Sequence, residues 1–428
     1  MRKLIYLSAG LLFSCLLAQA QQYDVLDIVN SDIRKVYGME GPHRLDEFGT
    51  LSKAPKGYKP FYISHYGRHG SRYAWNGDTY TLIKKVFDKA AELDVLTPYG
   101  KEFAAKYESV YTAPLINAGD LVPMGYDQHQ AIGQFVYEQF PQVFKGRKKV
   151  DGLSSTGQRC IVSMGGFTVG LMSGNPKLQV RLQSDHMGMG IIAPPSAPRE
   201  IRRYYKGVGK PENLEGIEEF FLNHSGYQDV LGKLFTDASF LEDFKGGTSE
   251  VMNELWTYLC GYHNYEPRPL FDDLLTPEQR LKFWECDNYL SFYSDINARY
   301  NVIPLLQDII EKSEEAFNDP NRAAHLRFGH DYILEALVTL INVNNWGVIP
   351  EKSEDAKYWF QNYNIPLAAT LLFVFYKNKQ GDVIFKLVMN ENDATLPSLT
   401  PVEGNYYRWS DFRAWCDKVI EEHPQIKK

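Results

Sequence analysis

Residues 21–428 contain no apolar run that approaches the roughly 20 residues a membrane-spanning helix requires. Cysteine is scarce, at 5 of 428 residues, and no two cysteines have the spacing of metal ligands. The histidines are scattered along the chain, so we expect neither a metal site nor a cofactor. The formal net charge of −7 argues against nucleic acid as a partner. It does not argue against a small phosphorylated substrate, because binding an anion needs only local positive charge.

The first twenty residues have the three parts of a secretory signal peptide. Arg2 and Lys3 precede an apolar stretch over residues 4–17, and Ala18-Gln19-Ala20 has the small-x-small pattern of a cleavage site. We therefore expect cleavage after Ala20 and a periplasmic or secreted protein. Lipoprotein processing at Cys15 is the alternative, which the bulky Phe13 disfavours.

Four cysteines follow the expected cleavage site: Cys160, Cys260, Cys286 and Cys416. Export permits disulfide bonds, and an even number of cysteines is compatible with them. The sequence does not determine their connectivity. Cys260 and Cys286 are the nearest pair along the chain and so the first candidate for a bridge.

The order of apolar patterns predicts an α/β fold with a mainly parallel central sheet and helices on both faces. Strands are expected over residues 61–66, 149–154 and 178–182, with helical spacing between them. Residues 371–376 and 383–389 flank a glycine-containing turn and predict a hairpin.

Almost wholly helical patterns fill the middle of the chain. We expect residues 196–317 to form an α-helical insertion, or cap, domain. Residues 21–195 and 318–428 would then form the α/β core. At 428 residues, the chain is long enough for either one large domain or two ordinary ones.

A basic motif, Arg68-His69-Gly70-Ser71-Arg72, directly follows the first predicted strand. A neutral imidazole between arginines suits attack on phosphorus, because each guanidinium can bind two phosphate oxygens and stays charged. Gly70 lets the backbone approach the anion closely. The alternative is a surface loop that happens to be basic, which so short a motif does not exclude.

A second motif, Phe328-Gly329-His330-Asp331, leads from a predicted strand into a strongly amphipathic helix. His330 at this point could donate a hydrogen bond to a phosphate oxygen, helped by the helix N-terminus. Asp331 could act as a general acid that protonates the leaving alkoxide. The alternative for Asp331 is an ordinary N-terminal helix cap.

Two further basic features complete the candidate residues. Arg159 follows the predicted strand 149–154 and could add a third guanidinium to a phosphate pocket, although an exposed helical arginine is the plain alternative. Arg199, Arg202 and Arg203 form a cluster that could meet additional phosphates of a polyphosphorylated substrate. The solvated face of a surface helix explains this second cluster slightly better.

In order and character, these segments resemble the histidine acid phosphatases of the histidine phosphatase superfamily, whose signature is Arg-His-Gly-x-Arg. Gly119–Gly125 resembles the Gly-x-Leu-x-Pro-x-Gly turn of that family, and residues 365–374 with Met389-Asn390-Glu391 are similar to multiple inositol polyphosphate phosphatases. The resemblance implies that His69 is the nucleophile that becomes phosphohistidine and that Asp331 is the proton donor. It also implies that Arg68, Arg72, Arg159 and His330 bind phosphate.

The chain departs from its relatives at two points. Inositol polyphosphate phosphatases usually carry His-Ala-Glu where this chain has His330-Asp331-Tyr332, a form more typical of phytases and general acid phosphatases. Phytases often have a proline shortly after the second arginine of the first motif, where this chain has Tyr73-Ala74-Trp75. We predict hydrolysis of phosphomonoesters, with inositol polyphosphates such as phytate as the main substrates.

A broad-specificity or sugar-phosphate acid phosphatase is the alternative within this class. A catalytically dead binding protein is disfavoured, because both the nucleophile and the acid are present. A mutase-like transferase is disfavoured because Ser71 stands where that branch has glutamate. The sequence does not predict the oligomeric state.

Overall fold

The structure is a computed structural model that describes residues 28–29, 31–46, 48–207 and 212–426. The predicted signal peptide and Cys15 lie outside the described residues. Within the described residues, no helix is both long enough and apolar enough to cross a membrane.

Among the described residues, eight strands form the central sheet, in the order β3-β2-β5-β1-β6-β7-β8 with β9 also paired to β7. The four strands β3, β2, β5 and β1 are parallel, whereas β6, β7, β8 and β9 pair antiparallel. Two short strands, β4 and β10, pair separately. The strands are β1 Lys59–Arg68, β2 Lys149–Ser154, β3 Gln179–Ser184, β4 Tyr204–Tyr205, β5 Arg322–Gly329, β6 Thr370–Lys377, β7 Val383–Met389, β8 Asn392–Ala394, β9 Tyr407–Arg408 and β10 Gln425–Ile426.

Helices surround this sheet. The α-helices are α1 Asp78–Glu92, α2 Pro98–Val110, α3 Thr112–Ile116, α4 Pro123–Gln139, α5 Gln158–Gly174, α6 Met189–Ile192, α7 Ile217–His224, α8 Tyr227–Leu234, α9 Gly247–Gly261, α10 Pro277–Ala298, α11 Ile303–Asn318, α12 Asp331–Leu340 and α13 Trp409–Glu422. The 3-10 helices are Ile33–Glu40, Pro194–Ser196, Ser239–Asp243, Tyr262–Asn264, Arg299–Val302, Val343–Asn345, Ser353–Tyr358 and Asn362–Asn364.

The predicted α/β class is confirmed, with a difference in the sheet. Its parallel half carries the basic motifs, and the predicted hairpin β6–β7 adds an antiparallel half. Alternate residues of the strands face different hydrophobic clusters, as the period of two requires. Ile63 packs with α4 and α5 on one face, whereas Tyr62 packs with α11, α12 and α13 on the other.

Helices α4 and α5 approach each other closely because glycines lie between them. A side chain at Gly133 would clash with the carbonyl oxygen of Phe167, and one at Gly170 with that of Gln130. This tight pair covers the face of the sheet behind β1 and β5. Arg159 lies in the first turn of α5.

The helical segment shares its core with earlier parts of the chain. Helices α8 and α9 belong to one hydrophobic cluster with α1 and α2, which come from the predicted α/β core. Helix α10 contributes Trp284 to this cluster and Tyr289 to the cluster on the sheet. The insertion boundaries at 196 and 317 stay predictions.

The expected disulfide bridge is wrong in the structure, where Cys160, Cys260, Cys286 and Cys416 are buried free thiols. Cys260 packs in the cluster of α1, α2, α8 and α9, whereas Cys286 packs in the cluster on the sheet. The two cysteines nearest in sequence therefore face different cores.

Candidate active site

Three segments of the predicted site leave the sheet at the same edge. Strand β5 lies between β1 and β2, parallel to both, and pairs Arg68 with Gly329 and Ser154 with Phe328. The carboxyl ends of the three strands are therefore neighbours, which is where sites form in such sheets. The backbone N–H of His69 donates to the carbonyl oxygen of Gly329 at 3.0 Å, so the first two motifs are joined directly.

His69 lies at the centre of this edge, with 1% of its surface exposed. Its Nδ1 lies 3.0 Å from the carbonyl oxygen of Gly70. Because a carbonyl only accepts hydrogen bonds, Nδ1 carries the proton and Nε2 keeps its lone pair. Burial lowers the pKa of His69 well below 6.5, and the charges of Arg68, Arg72 and Arg159 lower it further. The ring is therefore neutral in mild acid.

The backbone after His69 is held by the close approach of a second turn. A Cβ atom at Gly70 would lie 2.6 Å from the Cα of Gly125, at the end of the Gly119–Gly125 turn. The Gly70 N–H donates to Ser163 Oγ at 3.0 Å, and the Ser71 N–H donates to Gln128 Oε1 at 2.9 Å. The Gly119–Gly125 turn therefore packs directly against the first motif.

Arg68 is completely buried, and protein groups already bind its guanidinium. Nη1 donates to the carbonyl oxygens of Ile365, at 2.8 Å, and Met39. Nη2 donates to Asp331 Oδ2 at 2.6 Å. These contacts fix the plane of the side chain next to His69.

Arg72 and Arg159 are held in a similar way. Arg72 donates from Nη1 to the carbonyl oxygen of Tyr73 and from Nη2 to Glu40 Oε1, both at 2.9 Å. Arg159 donates from Nη1 to the carbonyl oxygen of Gly119 at 3.2 Å.

The Nε atoms of Arg68, Arg72 and Arg159 are buried and have no hydrogen-bond partner among the described residues. Buried donors of this kind normally have a partner. All three arginines act on His69 through their charges, and each keeps one buried donor that these protein contacts leave unused.

His330 lies across from His69. The ring centroids are 5.7 Å apart with the planes inclined at 70°. Its Nε2 lies 3.0 Å from Ser155 Oγ, and its other face stacks on Tyr332. Burial lowers the pKa of His330 to about 4; Asp331 opposes this shift, whereas Arg159 adds to it.

Asp331 begins helix α12, directly after His330 in the N-cap position. Its Oδ1 accepts from the N–H of Tyr332 at 2.8 Å, while Oδ2 pairs with Arg68. Burial by itself raises the pKa of Asp331, but the charges of Arg68 and Arg72 lower it to about 2. His330 occupies the N-cap position itself, and Asp331, the first residue of the helix, accepts a first-turn N–H. In the free site Asp331 is a carboxylate.

Glu40 is a site residue that the sequence analysis missed. It ends the 3-10 helix Ile33–Glu40, in a segment without a recognisable motif. Its carboxylate lies 2.9 Å from Arg72 Nη2 and 4.0 Å from Arg68 Nη2. No spacing in the sequence links residue 40 to the first motif, so only the fold reveals this contact.

Two arginines of the second basic cluster line a separate cleft. Arg202 and Arg203 line a cleft of about 470 Å³ together with Glu200, Asp308 and Glu311. None of the three predicted site segments lines this cleft. Among the described residues, no group of three or more His, Cys, Asp and Glu side chains could hold a metal ion.

Comparison with known families supports the resemblance inferred from the motifs. Residues 67–197 match the model of the histidine phosphatase superfamily (branch 2). This region contains Arg68, His69, Arg72 and Arg159 and ends before His330 and Asp331. The predicted resemblance to this superfamily is therefore confirmed. No curated protein matches the chain.

Solved structures with the same fold include inositol phosphate phosphatases. The Bifidobacterium longum multiple inositol polyphosphate phosphatase, in complex with inositol hexasulfate, has a TM-score of 0.70 and 17% identity, covering 89% of this chain and 97% of that chain. The phytase from D. castellii has a TM-score of 0.65 and 16% identity, covering 91% and 86%. The Hafnia alvei phytase in complex with myo-inositol hexakis sulphate has a TM-score of 0.54 and 16% identity, covering 86% and 98%. These likenesses show the fold of the chain.

Proposed function

We propose that this protein is a histidine-type acid phosphatase that hydrolyses phosphomonoesters through a phosphohistidine at His69. One observation carries the proposal. A buried, neutral imidazole has its Nδ1 fixed by a carbonyl group and lies near three arginines whose Nε–H groups have no partner in the part of the chain that the structure describes. Such a pocket binds a phosphoryl group and presents a ring nitrogen to it.

In the first step, His69 Nε2 attacks phosphorus and a P–N bond forms while the P–O bond to the alcohol breaks. The three guanidinium groups stabilise the charge on the phosphoryl oxygens. Asp331 gives its proton to the departing oxygen, because an alkoxide is a poor leaving group.

In the second step, the Asp331 carboxylate takes a proton from water, and the resulting hydroxide attacks phosphorus. The P–N bond breaks, which releases phosphate and returns His69 to its neutral form. The proton taken from water stays on Asp331 until phosphate leaves, and the free site returns to the carboxylate form.

This sequence requires a change in the pKa of Asp331, which is about 2 in the free site. A bound dianionic phosphate competes for Arg68 and adds negative charge beside the carboxylate. Both effects favour protonation of Asp331. We therefore expect an acidic optimum, where a proton is available and His69 is still neutral.

Inositol polyphosphates such as phytate are the proposed main substrates. The support comes from the fold neighbours, which are inositol polyphosphate phosphatases and phytases, two of them bound to sulfate analogues of the hexakisphosphate. A broad-specificity or sugar-phosphate phosphatase is the second candidate, favoured by His330-Asp331 in place of His-Ala-Glu. We also propose export to the periplasm or the medium, supported by the pattern of residues 1–20.

The test is phosphate release by the purified protein from phytate, glucose 1-phosphate and an aryl phosphate between pH 3 and 8. His69→Ala should abolish turnover and the acid-labile phosphoenzyme formed with radiolabelled substrate. His186→Ala, which removes an exposed histidine that makes none of the contacts described for the site, is the matched control. Turnover by His69→Ala at the wild-type rate would refute the mechanism, and preference for glucose 1-phosphate would favour the second candidate.

A further inference from the structure

Glu40 places a negative charge inside a pocket built to bind a negative ligand. One of its carboxylate oxygens lies 2.9 Å from Arg72 Nη2 and 4.0 Å from Arg68 Nη2. About a fifth of the side chain is exposed, so the carboxylate reaches the edge of the site. The proposed mechanism gives this group no role.

The fold holds Glu40 in place from both sides. Asn264, which is 3% exposed, donates from Nδ2 to the Glu40 carbonyl oxygen at 2.8 Å. The Oδ1 atom of the same Asn264 accepts from Ser71 Oγ at 2.8 Å, which links Glu40 to the first motif. Gly38 has a φ of 51°, and a Cβ at this residue would lie 2.9 Å from Asn362 Oδ1. The chain therefore turns sharply at a position that only glycine suits, two residues before Glu40.

The charges of the site nearly cancel because of Glu40. Arg68, Arg72 and Arg159 contribute three positive charges, while Asp331 and Glu40 contribute two negative charges. Asp331 can lose its charge by taking a proton in the reaction, but Glu40 has no such part in it. A bound phosphate is therefore repelled by Glu40 while it is attracted by the arginines that Glu40 contacts.

We propose that Glu40 has two effects. It positions the guanidinium group of Arg72, and its negative charge limits the affinity of the site for phosphate, so that the product leaves. This inference rests on the proposed function. Arginine forks that bind both edges of a dianion hold it tightly, and the product of each turnover is such a dianion. A fixed carboxylate beside two of the arginines weakens the binding of the substrate and of the product alike, and so it favours release of the product.

The variant Glu40→Gln separates charge from geometry, because its amide oxygen can still accept from Arg72 Nη2. We expect the dissociation constant of inorganic phosphate, measured by calorimetry on the full protein, to fall by about tenfold, as one repulsive charge is lost at short range. The inhibition constant of phosphate and the KM should fall with it, and kcat should not rise. Damage to the fold would weaken binding instead, so a structural role alone cannot produce this result.

Two further variants complete the experiment. Glu40→Ala also removes the charge but frees Arg72, so phosphate should bind more tightly than to wild type and less tightly than to Glu40→Gln. Asp46→Asn removes an exposed carboxylate from the same N-terminal segment, paired there with Arg44, and should leave the dissociation constant unchanged.

The outcomes distinguish this inference from the proposed function. Unchanged or weaker phosphate binding by both Glu40 variants would overturn the inference alone, provided that the wild type binds phosphate at the site of His69. A wild-type protein that binds no phosphate would overturn the proposed function and this inference with it.

Discussion

Replacing Asp331 by Asn tests the proposed acid and its ion pair in one variant. Burial raises the pKa of this carboxyl, but Arg68 and Arg72 lower it from 3.8 to about 2. At 1.36 kcal/mol per pH unit, this difference corresponds to about 2 kcal/mol of stability in neutral solution. Because the folded-state pKa is the lower one, the contribution is complete above the unfolded-state value and is lost as the pH falls toward 2.

The expected change in melting temperature follows from the size of the protein. Unfolding about 400 residues carries an entropy of roughly 0.8 kcal/mol/K, so a loss of about 2 kcal/mol lowers Tm by roughly 2–3 °C at pH 7. The difference between Asp331→Asn and wild type should shrink near pH 3. Calorimetric scans at both pH values measure it.

The same variant should discriminate between leaving groups. An amide has no acidic proton to give, so kcat/KM for alkyl phosphates should fall by about 10²–10⁴-fold. Aryl phosphates leave without protonation, so their kcat/KM, which covers only the steps up to departure of the alcohol, should stay within about tenfold of wild type, whereas kcat falls for both because the second step loses its base. Asp411→Asn, which removes an acid from the first turn of helix α13, is the matched control. Equal losses of kcat/KM on both substrate types would refute the role of Asp331 as proton donor.

Two more predictions concern the first motif. The ring of His69 should be neutral and protonated at Nδ1 at pH 5, because burial and three arginines lower its pKa. The measurement is ¹⁵N NMR of the histidine side chains, with the His69 signals assigned by their loss in His69→Ala. An imidazolium spectrum for His69 would contradict the prediction. Gly70→Ala should lose at least about 100-fold in kcat/KM through displacement of the nucleophile, because a Cβ there would lie 2.6 Å from Gly125 Cα. Gly165→Ala, where nothing lies within 4 Å of a Cβ, should retain activity.

The sequence predicted the elements that carry the site because each has a strong local signal. Short apolar strands end in glycine-containing motifs at residues 68–72 and 328–331, and parallel pairing of β1 with β5 makes those ends neighbours. The placement of Arg159 follows from the same rule, since it lies in the first turn of the helix after β2. Local patterns plus one topological rule were sufficient for these residues.

The contacts that hold the arginines were not predictable in this way. Arg68 is bound by the carbonyl oxygens of Met39 and Ile365, which are backbone groups with no sequence signature. Glu40 reaches Arg72 from a segment that the sequence analysis did not connect with the site. The expected bridge between Cys260 and Cys286 failed for a related reason, because separation along the chain does not show which core a side chain enters.

The ion pair between Arg68 and Asp331 explains how one carboxyl could serve as an acid although it is ionised in the free site. Arg68 is completely buried and needs an anionic partner, and Asp331 Oδ2 supplies it at 2.6 Å. Asp331 in turn is a carboxylate only because the guanidinium groups outweigh its burial. On the proposed mechanism, a phosphoryl group that engages Arg68 removes this stabilisation, and the burial that raises the pKa of Asp331 then prevails. Substrate binding would thus create the acid that the first step consumes, and a site without substrate would hold none.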